Sequence, residues 1–150
     1  MVADFPEEAP AEAEAVPGRG KNKRPGKREN EMKLATRHFV RPESLNHHDT
    51  AYAGKLADWM IEAAMIGVTK YLGRNDNVVL AAVKEMNVVA PIVAGTILDF
   101  GYEVVHLGVT SIVIQVNVTN MLTNVSHMKG SVVFVSVDEK GNKIPHGRSL

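Results

Sequence analysis

The sequence predicts an α+β domain in which one long central helix is wrapped by a curved antiparallel sheet of about five strands. Three observations carry this. A single nearly all-apolar helical run occupies residues 54–72, and four β-rich segments follow it in the second half of the chain. The breaks between those segments are short, which favours antiparallel neighbours over crossovers. One helix cannot cover both faces of such a sheet, so a sheet curved around the helix is the natural packing.

At 150 residues the chain accommodates one domain and a tail. Residues 1–32 are expected to be a disordered charged tail. Their first half is Ala, Glu and Pro, and their second half is basic and broken by Gly and Pro. Residues 33–150 form the domain. A strand is expected over residues 34–40, stopped by Arg41 and Pro42, because proline cannot donate to a ladder. After a polar loop at 43–52, the helix runs from Gly54 to about Leu72 and is ended by Gly73. Its apolar residues go most of the way round the cylinder, so it is buried on several sides. Ala63, Ala64 and Gly67 allow a sheet to approach closely. Strands are expected near residues 78–89, 96–107, 111–122 and 130–138, with a final turn at Gly141 and Asn142. Ile114, Val116 and Val118 alternate with Gln115, Asn117 and Thr119, the signature of a half-buried strand. Apolar strand positions exceed what one monomeric core can bury, which implies self-association.

Composition narrows the function. The formal net charge is zero, so nothing in the total argues for nucleic acid or an acidic membrane surface. The absence of cysteine excludes disulfides, thiolate metal sites and a catalytic thiol, and fits a reducing cytoplasm. No run approaches the roughly 18 to 20 consecutive apolar residues of a membrane span. The acidic start lacks the regions of a signal peptide. No His spacing suggests a metal site.

Several short pieces, weak alone, recur in one order. They are Arg41-Pro42-Glu43 with Leu45-Asn46, Tyr52-Ala53-Gly54-Lys55-Leu56, and Trp59-Met60. Met86-Asn87 with Pro91 and Gly95 follow, then Leu107-Gly108-Val109-Thr110-Ser111, and Val135-Ser136-Val137-Asp138 with Gly141 and Pro145. Over residues 34–147 the chain resembles the hotdog-fold acyl-CoA thioesterases of the cytosolic acyl-CoA hydrolase type. The resemblance implies paired protomers, with the acyl-CoA thioester entering at the dimer interface near a helix start. It implies that Asn46 places the thioester or the attacking water. It also implies a helix carboxylate, seven residues after the second Gly of a Gly-Gly pair, acting as base or nucleophile. Here Ala53 replaces the first Gly, the seventh residue after Gly54 is Ile61, and Leu80 stands where a hydroxyl is often found on the next strand.

Thioester hydrolysis needs a carboxylate near the carbonyl carbon and a donor for the developing oxyanion. The backbone N–H groups around Ala53, Gly54 and Lys55 are the natural donor, since helix N-termini carry unpaired amides and a positive dipole end. Glu62, one residue past the family position, is the first candidate base; its alternative role is an ion pair with a basic group across an interface. Asp58 shares its face and has Lys55 three residues before it. Asp49 either caps the helix or shapes the loop with Thr50, or replaces the catalytic carboxylate. His47 and His48 point opposite ways on an extended chain, and one of them is a candidate substrate contact. His106 and His127 read as structural or exposed. Gly108, Thr110 and Ser111 form a tight turn with hydroxyls, as a bare sequence only a turn between strands, and by the resemblance a contact to the CoA phosphates or pantetheine.

These readings converge on a cytoplasmic homodimer, or a larger even-numbered assembly, that hydrolyses acyl-CoA to CoA and a carboxylic acid. It uses no cofactor beyond the CoA of its substrate. Two alternatives stay open. One is a hotdog hydratase or ammonia lyase in which Glu62 or His48 moves a proton alpha to the thioester. The other is a non-catalytic acyl-CoA-binding module.

Overall fold

The computed structural model describes residues 32–150. The expected tail therefore lies outside the described residues, except for Met32. The elements are β1 (Lys33–Phe39), a 3-10 turn (Pro42–Ser44), α1 (Ala53–Leu72), β2 (Val78–Val88), β3 (Ile97–Leu107), β4 (Ser111–Asn120) and β5 (Ser126–Ser136). All strand pairs are antiparallel, in the order β1-β3-β4-β5-β2. This is the hotdog architecture: one helix against a single curved five-stranded sheet.

Helix α1 begins at Tyr52 without a side-chain cap. It ends at Gly73, whose φ of 79° lets its N–H reach the Thr69 carbonyl. Leu56, Met60, Ala63, Ala64, Gly67, Val68 and Leu72 are its buried face. They meet Phe100, Ile112, Ile114, Val116, Val118, Met128, Val132 and Phe134, all fully buried. The alternation along β4 is as expected, with Ile114, Val116 and Val118 turned into this core.

Strand β5 starts four residues earlier than expected, at Ser126 and not at Gly130. Gly130 is not a break. It lies in mid-strand, opposite both Met86 and Val116, where the Met60 sulfur and the Glu85 carbonyl leave no room for a Cβ. Strand β4 stops at Asn120, short of Leu122, because the Asn120 side chain accepts from the Leu122 and Thr123 amides and closes a turn.

The helix packs across β1, β3, β4 and β5 and leaves β2 outside its cover. Leu80 and Val83 on the helix side of β2 are 44 % and 42 % exposed, and one edge of this strand is open. Two bulges, at Ala81 and Lys84, interrupt its pairing with β5. At the far end of the helix the segment after Ile144 folds back. His146 Nε2 lies 2.7 Å from the Gly108 carbonyl and 3.2 Å from that of Ser111, and the Arg148 guanidinium donates to the Leu72 carbonyl at 2.9 Å. Among the described residues no helix is long and apolar enough to cross a membrane.

Candidate functional site

The loop between β1 and α1 is organised by Asn46. Its Oδ1 accepts from the backbone N–H of His48 at 2.8 Å, from the Thr50 N–H at 3.2 Å and from the Thr50 hydroxyl at 3.3 Å. The Asn46 N–H donates to the Thr50 carbonyl at 2.7 Å, closing the loop on itself. Asp49 sits at the corner in the left-handed region, φ 63°, a conformation Asp tolerates better than most residues. Asp49 does not cap the helix, and the Thr50 hydroxyl is occupied by Asn46. The side chain of Asn46 is thus committed through its oxygen, and its NH₂ is the group left to donate to a ligand. His47 and His48 are not splayed apart: the turn brings their rings to 3.9 Å. A bridge between Leu45 and Ala51, and a bond from the Ala51 N–H to the Ile92 carbonyl, tie the loop to the sheet.

The helix follows at once. Lys55 and Leu56 N–H both donate to the Tyr52 carbonyl, whereas Ala53 and Gly54, in the first turn, have no intrahelical acceptor. This places two backbone donors beside the Asn46 loop, at the positive end of a 20-residue helix.

Glu62 lies farther along, by roughly 13 Å of axial rise. Its side chain is 53 % exposed, and its Oε1 is 3.3 Å from Nε2 of His38 on β1. The His38 ring stacks on Trp59 at 4.5 Å with a 12° interplanar angle and meets the Phe100 ring edge-on at 5.3 Å. The basic partner of Glu62 is therefore in its own chain. His38 was not singled out from the sequence, although strand parity carried the signal: it shares a face of β1 with the buried Val40. By helical geometry Gly54 and Ile61 lie within about 20° of one another, whereas Glu62 is about 80° away from Gly54. Asp58 is exposed, 3.9 Å from the Lys55 ammonium.

Gly108, Thr110 and Ser111 are not gathered with this loop in one chain. They form the β3–β4 hairpin turn, closed by the Gly108 N–H on the Ser111 carbonyl, at the opposite end of a helix roughly 30 Å long. A cleft of about 570 Å³ also lies at that end, lined by Arg74, Asp76, Asn77, Asp138, Lys140 and Ile144, and none of the candidate residues lines it. Its charges are mixed, and the Asp138 carboxylate, held below the usual range by the Asn142 and Lys140 amides, is occupied in a local turn.

Of the remaining histidines, His106 is exposed and His127 is buried, its Nδ1 3.3 Å from the Ala90 carbonyl. Burial pushes the His127 imidazole below the ordinary range. Among the described residues no group of three His, Asp or Glu side chains is placed to hold a metal ion.

The sequence profile of the thioesterase superfamily matches residues 48–125, from the polar loop through β4. The chain belongs to the thioesterase superfamily. Solved structures carry the same fold. The hexameric thioesterase of Yersinia pestis superposes with a TM-score of 0.69 at 19 % identity, over 78 % of this chain and 97 % of that one. An acyl-CoA hydrolase from Staphylococcus aureus, solved with butyryl coenzyme A and coenzyme A, superposes at 0.67 with 26 % identity, over 73 % of this chain and 66 % of that one. A hexameric hotdog-fold thioesterase of Campylobacter jejuni gives 0.64 at 22 % identity, over 75 % and 89 %. No curated protein matches the chain significantly by sequence.

Proposed function

We propose that this chain hydrolyses acyl-CoA thioesters to CoA and a carboxylic acid, as a homo-oligomer built from dimers. The observation that carries the proposal is the pairing of superfamily membership with the amides of Ala53 and Gly54, which have no acceptor among the described residues, beside the Asn46 loop. Those amides hold the oxygen of the thioester carbonyl as it becomes an oxyanion. The Asn46 NH₂ positions the carbonyl, and His47 and His48 border the entrance. A carboxylate takes a proton from water as the water oxygen attacks the carbonyl carbon; the two candidates are Asp49, in the loop beside those amides, and Glu62, which lies roughly 13 Å along the helix from the amides of its own chain. When the C–S bond breaks, that proton goes to the sulfur and free CoA leaves.

Assembly supports the same site. If two copies pair antiparallel through the open edge of β2, the Val88 end of one lies beside the Val78 end of the other. The helix start lies at the Val88 end and the turn at 108–111 at the Val78 end, so the dimer puts one copy's Asn46 loop at the same margin of the sheet as the other copy's turn. Gly108, Thr110 and Ser111 then contact the CoA moiety across the interface. The thioesterases of this fold from Yersinia pestis and Campylobacter jejuni are hexameric, an even-numbered assembly.

A second reading is an acyl-CoA-binding module without turnover, favoured by Ile61 and not Glu62 sharing the face of Gly54. A panel of acyl-CoA substrates, read for free thiol and for enoyl products, decides. Thiol release supports the hydrolase. Enoyl product without thiol replaces it with a hydratase or lyase, and binding without either product leaves the module. The compartment proposed for this activity is the cytoplasm.

A further inference from the structure

We propose that His146 is a positioning residue for the phosphate groups of CoA, holding the β3–β4 turn so that two of its amides face the anion. The assignment rests on the CoA contact proposed above for this turn. Every carbonyl from Gly108 to Ser111 already has a donor. Nε2 of His146 lies 2.7 Å from the Gly108 carbonyl and 3.2 Å from that of Ser111. The backbone N–H of His146 donates to the Val109 carbonyl at 3.2 Å, and the Ser136 N–H donates to that of Thr110 at 2.8 Å. The amides are placed differently. The Gly108 N–H closes the turn on the Ser111 carbonyl, whereas those of Val109 and Thr110 have no acceptor among the described residues. Successive amides of this kind, in a turn, form an anion-binding concavity, and the Thr110 hydroxyl lies in the same turn.

His146 controls the direction of both amides. The peptides here are trans, so each C=O points opposite to the N–H of the residue that follows. The ring holds the Gly108 carbonyl inward and thereby turns the Val109 N–H out. The main chain of His146 does the same for the Val109 carbonyl and the Thr110 N–H. The tautomer follows from the partners: Nε2 faces two carbonyl oxygens and carries a proton, while Nδ1 accepts the Arg148 N–H at 3.0 Å. Arg148 anchors the other side of this strap. Its guanidinium donates to the Leu72 carbonyl at 2.9 Å and lies 5.8 Å from the centre of the Tyr71 ring. Without the Nε2 donor, the Gly108–Val109 peptide is free to rotate and to present an oxygen where the phosphate needs an N–H.

The test compares His146→Phe, which keeps a ring but has no donor, with His146→Gln, whose side-chain N–H reaches towards the Gly108 carbonyl. Both are assayed as the full chain on an acyl-CoA and on the N-acetylcysteamine thioester of the same acid, which carries no phosphate. His146→Phe should raise KM for the acyl-CoA about tenfold or more with little change in kcat, the size of one hydrogen bond to a charged group. The advantage in kcat/KM of the acyl-CoA over the truncated thioester should shrink by the same factor, and His146→Gln should restore most of it. No loss, or an equal loss on the two thioesters, overturns the assignment and leaves hydrolysis standing. Should the Phe ring prevent folding, His146→Ala removes the donor without that bulk and is read in the same way. A parent protein that releases no thiol overturns the hydrolase reading, and the affinities of parent and variants for CoA itself then decide the assignment by the same tenfold comparison.

Discussion

Gly67 and Tyr102 share one space: a Cβ on Gly67 would lie 2.6 Å from two carbons of the Tyr102 ring. The helix approaches β3 this closely only because position 67 has no side chain. Gly67→Ala therefore sets two effects against each other. Helix propensity favours alanine by about 1 kcal/mol, and overpacking of a dense core costs about 1–3 kcal/mol. The buried, ring-filled site makes overpacking the larger effect, so the variant should unfold at lower temperature. Adding Tyr102→Leu should return part of the loss. A rise in Tm on Gly67→Ala would show that β3 can retreat from the helix.

Glu62→Gln tests the first of the two candidate bases. The amide fills the same volume but takes no proton, so turnover should fall by roughly a hundredfold or more while acyl-CoA affinity changes little. Asp49→Asn, made in parallel, asks whether the loop supplies the carboxylate. If Asp49→Asn alone abolishes thiol release, the base is in the loop and the assignment of Glu62 fails.

Self-association should run through β2. The protein is expected to scatter light as a dimer or a larger even-numbered assembly at micromolar concentration, because Leu80 and Val83 are left uncovered by the helix of their own chain. Val83→Glu places a charge in that interface and should shift the population towards monomer. A monomeric parent would remove both the dimer and the shared site.

His127 predicts a loss of stability in mild acid. Burial lowers its folded-state pKa, a shift only partly opposed by the Ala90 and Pro91 carbonyls, below an unfolded value of about 6.5. The folded state thus prefers the neutral ring. Its contribution is complete above the unfolded pKa and is lost as pH falls from there towards the depressed folded value. Urea midpoints measured at pH 8 and pH 5 should differ more for the parent than for His127→Gln. Equal differences would mean that other groups set the acid response.

The elements most readable from sequence were those with local rules. The Gly73 stop and the alternation of Ile114, Val116 and Val118 need no knowledge of the rest of the fold. Gly130 misled because glycine usually marks a break, whereas here it admits Met60 from another element. His38 was passed over for a related reason. Its meaning lies in Trp59 and Glu62 on the helix, and that contact exists only once β1 docks. The turn at 108–111 reads from sequence as a plain hairpin turn or a CoA contact, with nothing local to say how it lies relative to the Asn46 loop. Strand order, which no local pattern encodes, puts them at opposite ends of one chain.

The two bulges on β2 bear on aggregation. A straight apolar edge strand is a template on which copies can keep adding, one register being as good as the next. At Ala81 and Lys84 the repeat is broken twice and the strand is twisted away from flatness, with Lys84 bringing a charge to the rim. Sliding a neighbour by one or two residues would mismatch both kinks. Such an edge favours a single two-fold mate and resists endless stacking, so an exposed Leu80 and Val83 can persist on the free chain without seeding fibrils.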